Sequence, residues 1–443
     1  MPRGTLGGLA GAGEAFEGTT LPTWQVTGLS LAVMVSHVLN GSGALVFGLL
    51  AVGVIWTLHR LRGYAPHSRT TADLISSAPG AAPARAIRVV QFTAYVLIGA
   101  STATSVAGLT LVWFTDSNAT PPGWSGPAIS VTTVALAAAL VAALPTRRLA
   151  PVATALAAIG LLAYFCVSLA VIAKAVSGAP QAAPSTDIEV ASGSIEWGPA
   201  AILIALAIVF AGFEIPTTVN DRLASVRRPL GIAVGLVAVC ATTAWAASNM
   251  ATAGDFRYDA TNLVIIVSDM FGESASLWLL AATIALTVAA LLVLVWGATR
   301  VIRPATAATP LPLVLTAVAT GVLAFALSTG SSDVAATSWQ VAGLLLLSVY
   351  VAVAQANSRL DDSSTSAWAW FALTGVGLAV VAFVTGASQS WWPVLVTLII
   401  VAAAGVWAIQ SRKTLDNNTP PTPVTKPRPV SKSERLRREN RTS

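Results

Sequence analysis

One short stretch brings together the residue types that can do chemistry: Phe210-Ala-Gly-Phe-Glu214-Ile-Pro216, set inside an apolar run. An ionised carboxylate in hydrocarbon is costly unless it is paired, solvated or protonated. A carboxyl group placed there is therefore suited to carrying a proton. Gly212 loosens a helix just before Glu214, and Pro216 lacks an N–H and clashes with the carbonyl of Gly212. Together they predict a kinked or unwound turn over 210–216. Unwound backbone at membrane depth is tolerated only where it is buried in protein or lines a cavity, and there it offers N–H and C=O groups to a ligand. The plainer alternative has Pro216 kinking the helix close to a membrane surface, with Glu214 snorkelling or paired to Arg222.

A second candidate region is Met34-Val-Ser-His-Val-Leu-Asn-Gly-Ser-Gly43, with Ser36, His37, Gly41, Ser42 and Gly43 as the residues of interest. If Gly41-Ser-Gly43 interrupts a helix, its N–H groups can cradle an anionic group, because glycine allows close backbone approach. The same residues also fit a tight turn between two helices, since Asn-Gly and Ser-Gly are turn dipeptides. His37 is a lone imidazole, suited to a proton-linked role or to a satisfied or pore-facing position rather than to metal binding. His59 and His67 fall in a basic gap and need no special role. Cys166 and Cys240 show no CxxC or Cys/His ligand spacing and read as small apolar residues. No metal site or cofactor is expected. No phosphate loop, zinc motif, nucleophile elbow or pair of catalytic carboxylates appears, so enzyme chemistry is not expected.

The elements that must position these residues follow from composition. Of 443 residues 55% are hydrophobic and 10% charged, with a mean hydropathy of +0.73. A soluble domain cannot bury that much apolar side chain, whereas a bilayer acts as the apolar solvent. Each crossing needs roughly 20 apolar residues, and long unalternated runs mean helices, not barrel strands. Apolar runs predict an all-α integral membrane protein of about twelve transmembrane helices, over 24–41, 42–61, 88–114, 127–145, 150–176, 198–220, 229–250, 275–301, 310–329, 336–357, 366–387 and 392–411. The first two spans must be short helices joined at Asn40-Gly-Ser-Gly43.

Basic residues set the orientation. With the N-terminus inside, the 25 Lys and Arg residues all fall on the inner side except Lys174 and Arg257. Acids such as Asp187, Glu189, Asp255 and Asp333 collect in the outer gaps. Both termini are therefore expected in the cytoplasm. The net charge of +6 is a topology signal plus a basic tail, and nucleic-acid binding is not expected. Residues 1–23 form a cytoplasmic segment lacking the basic-then-apolar opening of a signal peptide, 24–411 the membrane domain, and 412–443 a disordered Pro-rich basic tail. A short amphipathic helix is expected within 62–88, and a surface or re-entrant helix within 259–274. Trp24, Trp113, Trp124, Trp197, Trp278, Trp391 and Trp392 lie near span ends, where an indole sits at headgroup level. The Ala-rich, Lys-poor composition points to a bacterial plasma membrane.

Phe210-Ala-Gly-Phe-Glu214, followed by Asn220-Asp-Arg-Leu-Ala-Ser-Val-Arg-Arg-Pro-Leu-Gly-Ile-Ala-Val-Gly235, resembles the sixth helix and following loop of the amino acid–polyamine–organocation (APC) permeases. The similarity is clearest over 198–301, weaker over 24–110 and vague beyond about 310. It implies a LeuT-like core of five-plus-five inverted-repeat helices plus two peripheral helices. It also implies a substrate site between spans 1 and 6, at Ser36, His37, Gly41, Ser42, Gly43, Phe210, Ala211, Gly212 and Phe213. The substrate would be an amino acid, amine or related small organic solute, with protons as the coupling ion and Glu214 as the carrier. The chain departs from the family's Gly-rich first-helix break, and only Arg300 and Arg303 remain in the loop after the eighth span. A non-transporting membrane scaffold or accessory subunit on a degenerate permease fold is the alternative.

Overall fold

The computed structural model describes residues 21–38, 44–65, 68, 70–78, 84–114, 122–177, 214–215, 227–251, 260–302, 310–330, 332–359 and 392–418. The helices are α1 (Thr23–Val38), α2 (Ala44–Tyr64), α3 (Thr71–Ser76), α4 (Ala84–Phe114), α5 (Ser125–Ala143), α6 (Thr146–Val176), α7 (Arg227–Ala251), α8 (Ala260–Phe271), α9 (Glu273–Ile302), α10 (Leu311–Thr329), α11 (Ser332–Ser358) and α12 (Trp392–Asn418). No strand occurs among the described residues.

Eight of these helices, α4, α5, α6, α7 and α9 to α12, are long and apolar enough to cross a membrane. The chain is thus an all-α, multi-pass membrane protein. Their cores coincide with eight of the spans read from hydropathy. The first two expected spans are also helical: α1 ends at Val38 and α2 starts at Ala44, on either side of the anticipated joint. Of the span 198–220 only Glu214 and Ile215 are described, and 366–387 lies outside the described residues. α12 runs on to Asn418, past the expected end of the last span and into the stretch expected to be disordered.

Hydrocarbon offers the backbone no partner, so helix formation wins even where Val, Ile and Thr are frequent. Hydroxyl side chains inside the spans bond the carbonyl one turn back, as Thr102 does to Ile98 (2.7 Å) and Thr110 to Val106 (2.7 Å). Prolines set helix starts, with Pro145 and Pro310 as the N-caps of α6 and α10.

The bundle is organised around α4 and α9. These two pack on each other; α4 also meets α3, α5, α10, α11 and α12, and α9 meets α1, α5, α6, α8 and α10. Leu291 through Trp296 of α9 are all buried, a run no amphipathic surface helix could hide. Around this centre α5, α6, α10 and α12 turn apolar side chains outward, for example Leu136, Leu162, Val318, Phe325, Leu398 and Trp407. Such faces belong against lipid. Trp24, Trp124, Trp278 and Trp392 are exposed near helix ends, as an interfacial belt requires.

Close helix crossings rest on glycine, as at Gly28 and Gly160. A Cβ on Gly28 of α1 would lie 2.1 Å from Thr154 Cγ2 of α6, and one on Gly160 of α6 would lie 2.8 Å from Leu286 Cβ of α9. Small residues at such points let helix backbones approach and gain van der Waals contact.

Both expected short helices are present. α3 opens with a reciprocal capping box: the Asp73 amide donates to Thr70 Oγ1 (3.1 Å) and the Thr70 amide to Asp73 Oδ2 (3.2 Å). Arg88 of α4 pairs with the same carboxylate, fastening α3 to the bundle. α8 buries Leu263, Ile266, Val267 and Met270, a one-face spacing, and packs on α6, α7 and α9. It ends at Gly272, whose φ of +88° suits glycine and whose amide donates to Ser268 O (2.9 Å).

Candidate functional site

The site assembles from three separate parts of the chain. Gln91 and Tyr95 of α4 are one helical turn apart and share a face. Tyr350 comes from α11, and Glu214 from the described pair Glu214–Ile215. All four of these side chains are buried, with Gln91 and Glu214 at 0% exposure. At 1.5 Å per residue, Tyr95 lies about 16 Å along α4 from Ala84, and Tyr350 about 12 Å from the C-terminal end of α11. The cluster is therefore well inside the bundle.

Among the described residues, neutral side-chain donors from α4 and α11 reach the carboxylate. Tyr95 Oη donates to Glu214 Oε1, and Gln91 Nε2 reaches the same oxygen at 3.4 Å. Tyr350 Oη donates to Oε2 at 3.3 Å. Gln91 Nε2 also donates to Tyr95 Oη at 2.7 Å, so the α4 pair acts as a unit. Glu214 thereby links α4 to α11. A buried carboxyl group held by hydroxyl and amide donors can be carried as an anion with its lone pairs occupied, or neutralised by one proton.

α9 seats this segment from another side. A Cβ on Gly297 would fall 2.7 to 2.9 Å from three side-chain carbons of Ile215, so glycine there makes the notch that Ile215 fills. Trp296, beside the notch in sequence, is the largest fully buried side chain among the described residues. Glu214 does not snorkel to a surface; its burial removes that alternative. Arg222, the other suggested partner, lies outside the described residues, as do Phe210, Ala211, Gly212, Phe213 and Pro216. Ser36 and His37 fall in the last turn of α1, and Gly41, Ser42 and Gly43 lie outside the described residues. No group of three or more His, Cys, Asp or Glu able to hold a metal ion occurs among the described residues.

No protein-family model matches this chain, and no curated protein matches it.

Sequence reasoning singled out Glu214 but missed Gln91, Tyr95 and Tyr350. A signal was present: Gln91-x-x-x-Tyr95 is a polar pair at helical spacing inside an apolar span. Polar side chains at that depth face protein and not lipid. Lys174, conspicuous as a basic residue on the wrong side, also finds its reason. Its Nζ donates to the Met270 carbonyl at the end of α8 and lies 4.7 Å from the Phe271 ring centre. A cation at a helix C-terminus meets the negative end of the dipole. Arg227, at the start of α7, stacks over Trp56 of α2 at 4.5 Å.

Proposed function

We propose that this protein is a secondary active transporter, a divergent permease of the amino acid–polyamine–organocation type, that moves an amino acid, amine or related small organic solute together with protons. The observation that carries the reading is Glu214: a carboxyl group at 0% exposure in an apolar bundle, met by neutral donors from two other helices. Such a group is retained against its desolvation cost where it has work to do, and intramembrane carboxylates mark ion and proton paths. Taking up and releasing one proton changes how strongly Glu214 binds Tyr95 and Tyr350, hence how firmly its own segment holds α4 to α11. A protonation-dependent tie between helices is what coupling a proton to a conformational change requires.

In this reading both termini face the cytoplasm of a bacterial cell, and the substrate sits between spans 1 and 6, along Ser36–Gly43 and Phe210–Phe213. The five-plus-five repeat and the twelve-span count belong to the same proposal. Departures from the permease pattern in the first span and in the loop after α9 favour a second reading, a scaffold on a degenerate permease fold. One experiment separates the two. The purified protein is reconstituted in vesicles and tested for uptake of an amino-acid and amine panel under an imposed pH gradient. Gradient-dependent uptake that is lost in Glu214→Gln supports the proton-coupled permease. No uptake of any compound by the folded wild type supports the scaffold.

A further inference from the structure

The amide of Gln91 uses only one of its two ends. Nε2 donates to Tyr95 Oη at 2.7 Å and to Glu214 Oε1 at 3.4 Å. Oε1 of the same amide is buried and has no hydrogen-bond partner among the described residues. A buried amide oxygen left unpaired is disfavoured, and one that persists beside a titratable group calls for an explanation.

Counting hydrogens supplies one. A carboxylate only accepts, and Glu214 as an anion is met by Tyr95 O–H, Tyr350 O–H and Gln91 N–H. A proton added to Oε1 makes that atom a donor. It then faces the hydroxyl of Tyr95 and the NH2 of Gln91, both of which are already donating toward it. On this side of the carboxylate, the nearest group that can turn from donor to acceptor is the Gln91 amide, whose oxygen lies at its other end. A half-turn about the terminal torsion of Gln91 exchanges Nε2 and Oε1, and that torsion is broad and roughly two-fold. The separation of 2.7 Å between the amide and Tyr95 Oη suits a hydrogen bond in either direction. Once the amide has turned, Glu214 O–H donates to Tyr95 Oη, and Tyr95 O–H donates to Gln91 Oε1.

We propose that Gln91 is a positioning residue that follows the charge of Glu214, presenting its NH2 to the carboxylate and its oxygen when the acid forms. The proposal rests on Glu214 being the proton-carrying group. The step balances simply: one proton from the aqueous phase bonds to a carboxylate oxygen, and the Tyr95 hydroxyl reverses its direction. No bond between heavy atoms changes. Among the described residues, the titratable groups facing Glu214 are Tyr95 from α4 and Tyr350 from α11, while α9 presents Gly297 to Ile215. Arg88, one turn before Gln91 on α4, is engaged with Asp73 of α3.

The test uses the full chain in lipid nanodiscs. Protonation of Glu214 is followed by the infrared carboxylic-acid band that Glu214→Gln lacks. The side-chain amide of Gln91 is followed by nitrogen-15 magnetic resonance and identified as the signal missing in Gln91→Met, or in Gln91→Asn if the first variant does not fold. The Gln91 signal is expected to shift with pH at the midpoint of the Glu214 band, and to lose its pH dependence in Glu214→Gln. A Gln91 signal that stays flat while the Glu214 band appears overturns the proposal, as does a Glu214 that takes no proton anywhere the protein stays folded. Joint movement of the two signals in a protein that transports nothing upholds the proposal while removing the permease reading. Proton-driven uptake with a flat Gln91 signal does the reverse.

Discussion

Glu214 is held by donors of unequal standing, and that inequality is testable. Tyr95 bonds both the carboxylate and Gln91, whereas Tyr350 makes the longer contact of 3.3 Å. Tyr95→Phe leaves Gln91 and an oxygen of Glu214 short of a partner in a buried place, at a cost of about 1–3 kcal/mol. Tyr350→Phe is expected to cost less. Thermal unfolding of the two variants in detergent checks the order, and equal losses would show that Tyr95 has no special place in the cluster. Gly297 is the other residue on which the geometry depends. Gly297→Val would overlap Ile215 and push Glu214 away from its donors, with a loss of roughly 1–3 kcal/mol expected from overpacking. In contrast, a Cβ on Gly235 meets nothing within 4 Å, so Gly235→Ala should be neutral or slightly stabilising. A comparison of the unfolding midpoints of these two glycine variants tests whether the notch, and not helix propensity, sets the outcome.

The short helices belong to the next scale up. α3, at six residues, has fewer than two turns and would not persist alone. It holds through its capping box, through buried Leu74 and Ile75, and through the Asp73–Arg88 pair that ties it to α4 one turn from Gln91. α8 is longer, and its C-terminal end is gripped by Lys174 of α6. Lys174→Met keeps the apolar stem and removes the charge and the donor. Amide hydrogen exchange over 260–271 should then quicken, while exchange in α9 beyond the first turn stays unchanged. Unaltered exchange over 260–271 would mean that apolar packing alone seats α8.

At the level of the whole molecule, charge asymmetry and lateral exposure give independent predictions. All but two of 25 basic residues lie on one proposed side. Single cysteines at Ser185 and Ser431 should therefore react with an impermeant thiol reagent from opposite sides of the membrane. Cys166 is exposed and Cys240 buried, so Cys166 has to be replaced first. Labelling of both positions from one side would reverse the proposed frame. Lipid contact is equally specific: α10 and α12 present Val318, Phe325, Leu398 and Trp407 outward, while α9 and α11 are mostly enclosed.

The sequence by itself determined that the chain is helical and lies in a membrane, because a 55% hydrophobic chain has no other way to satisfy both side chains and backbone. It determined where eight of the long helices run, because charges and prolines interrupt hydrocarbon-compatible segments sharply. It also pointed to Glu214, since a carboxylate inside an apolar run is conspicuous in one dimension. Tertiary structure alone decided what Glu214 meets. Gln91 and Tyr95 lie more than a hundred residues before it and Tyr350 more than a hundred after, as the sequence separations of 123, 119 and 136 state. Hydropathy reports whether a segment enters the bilayer, but it averages over all sides of the helix. Which side meets a neighbour is set by packing, and here that packing depends on single small residues such as Gly28, Gly160 and Gly297 that let specific helices approach. The burial of a polar side chain in a bundle is a property of its neighbours, and those are chosen only when the helices assemble.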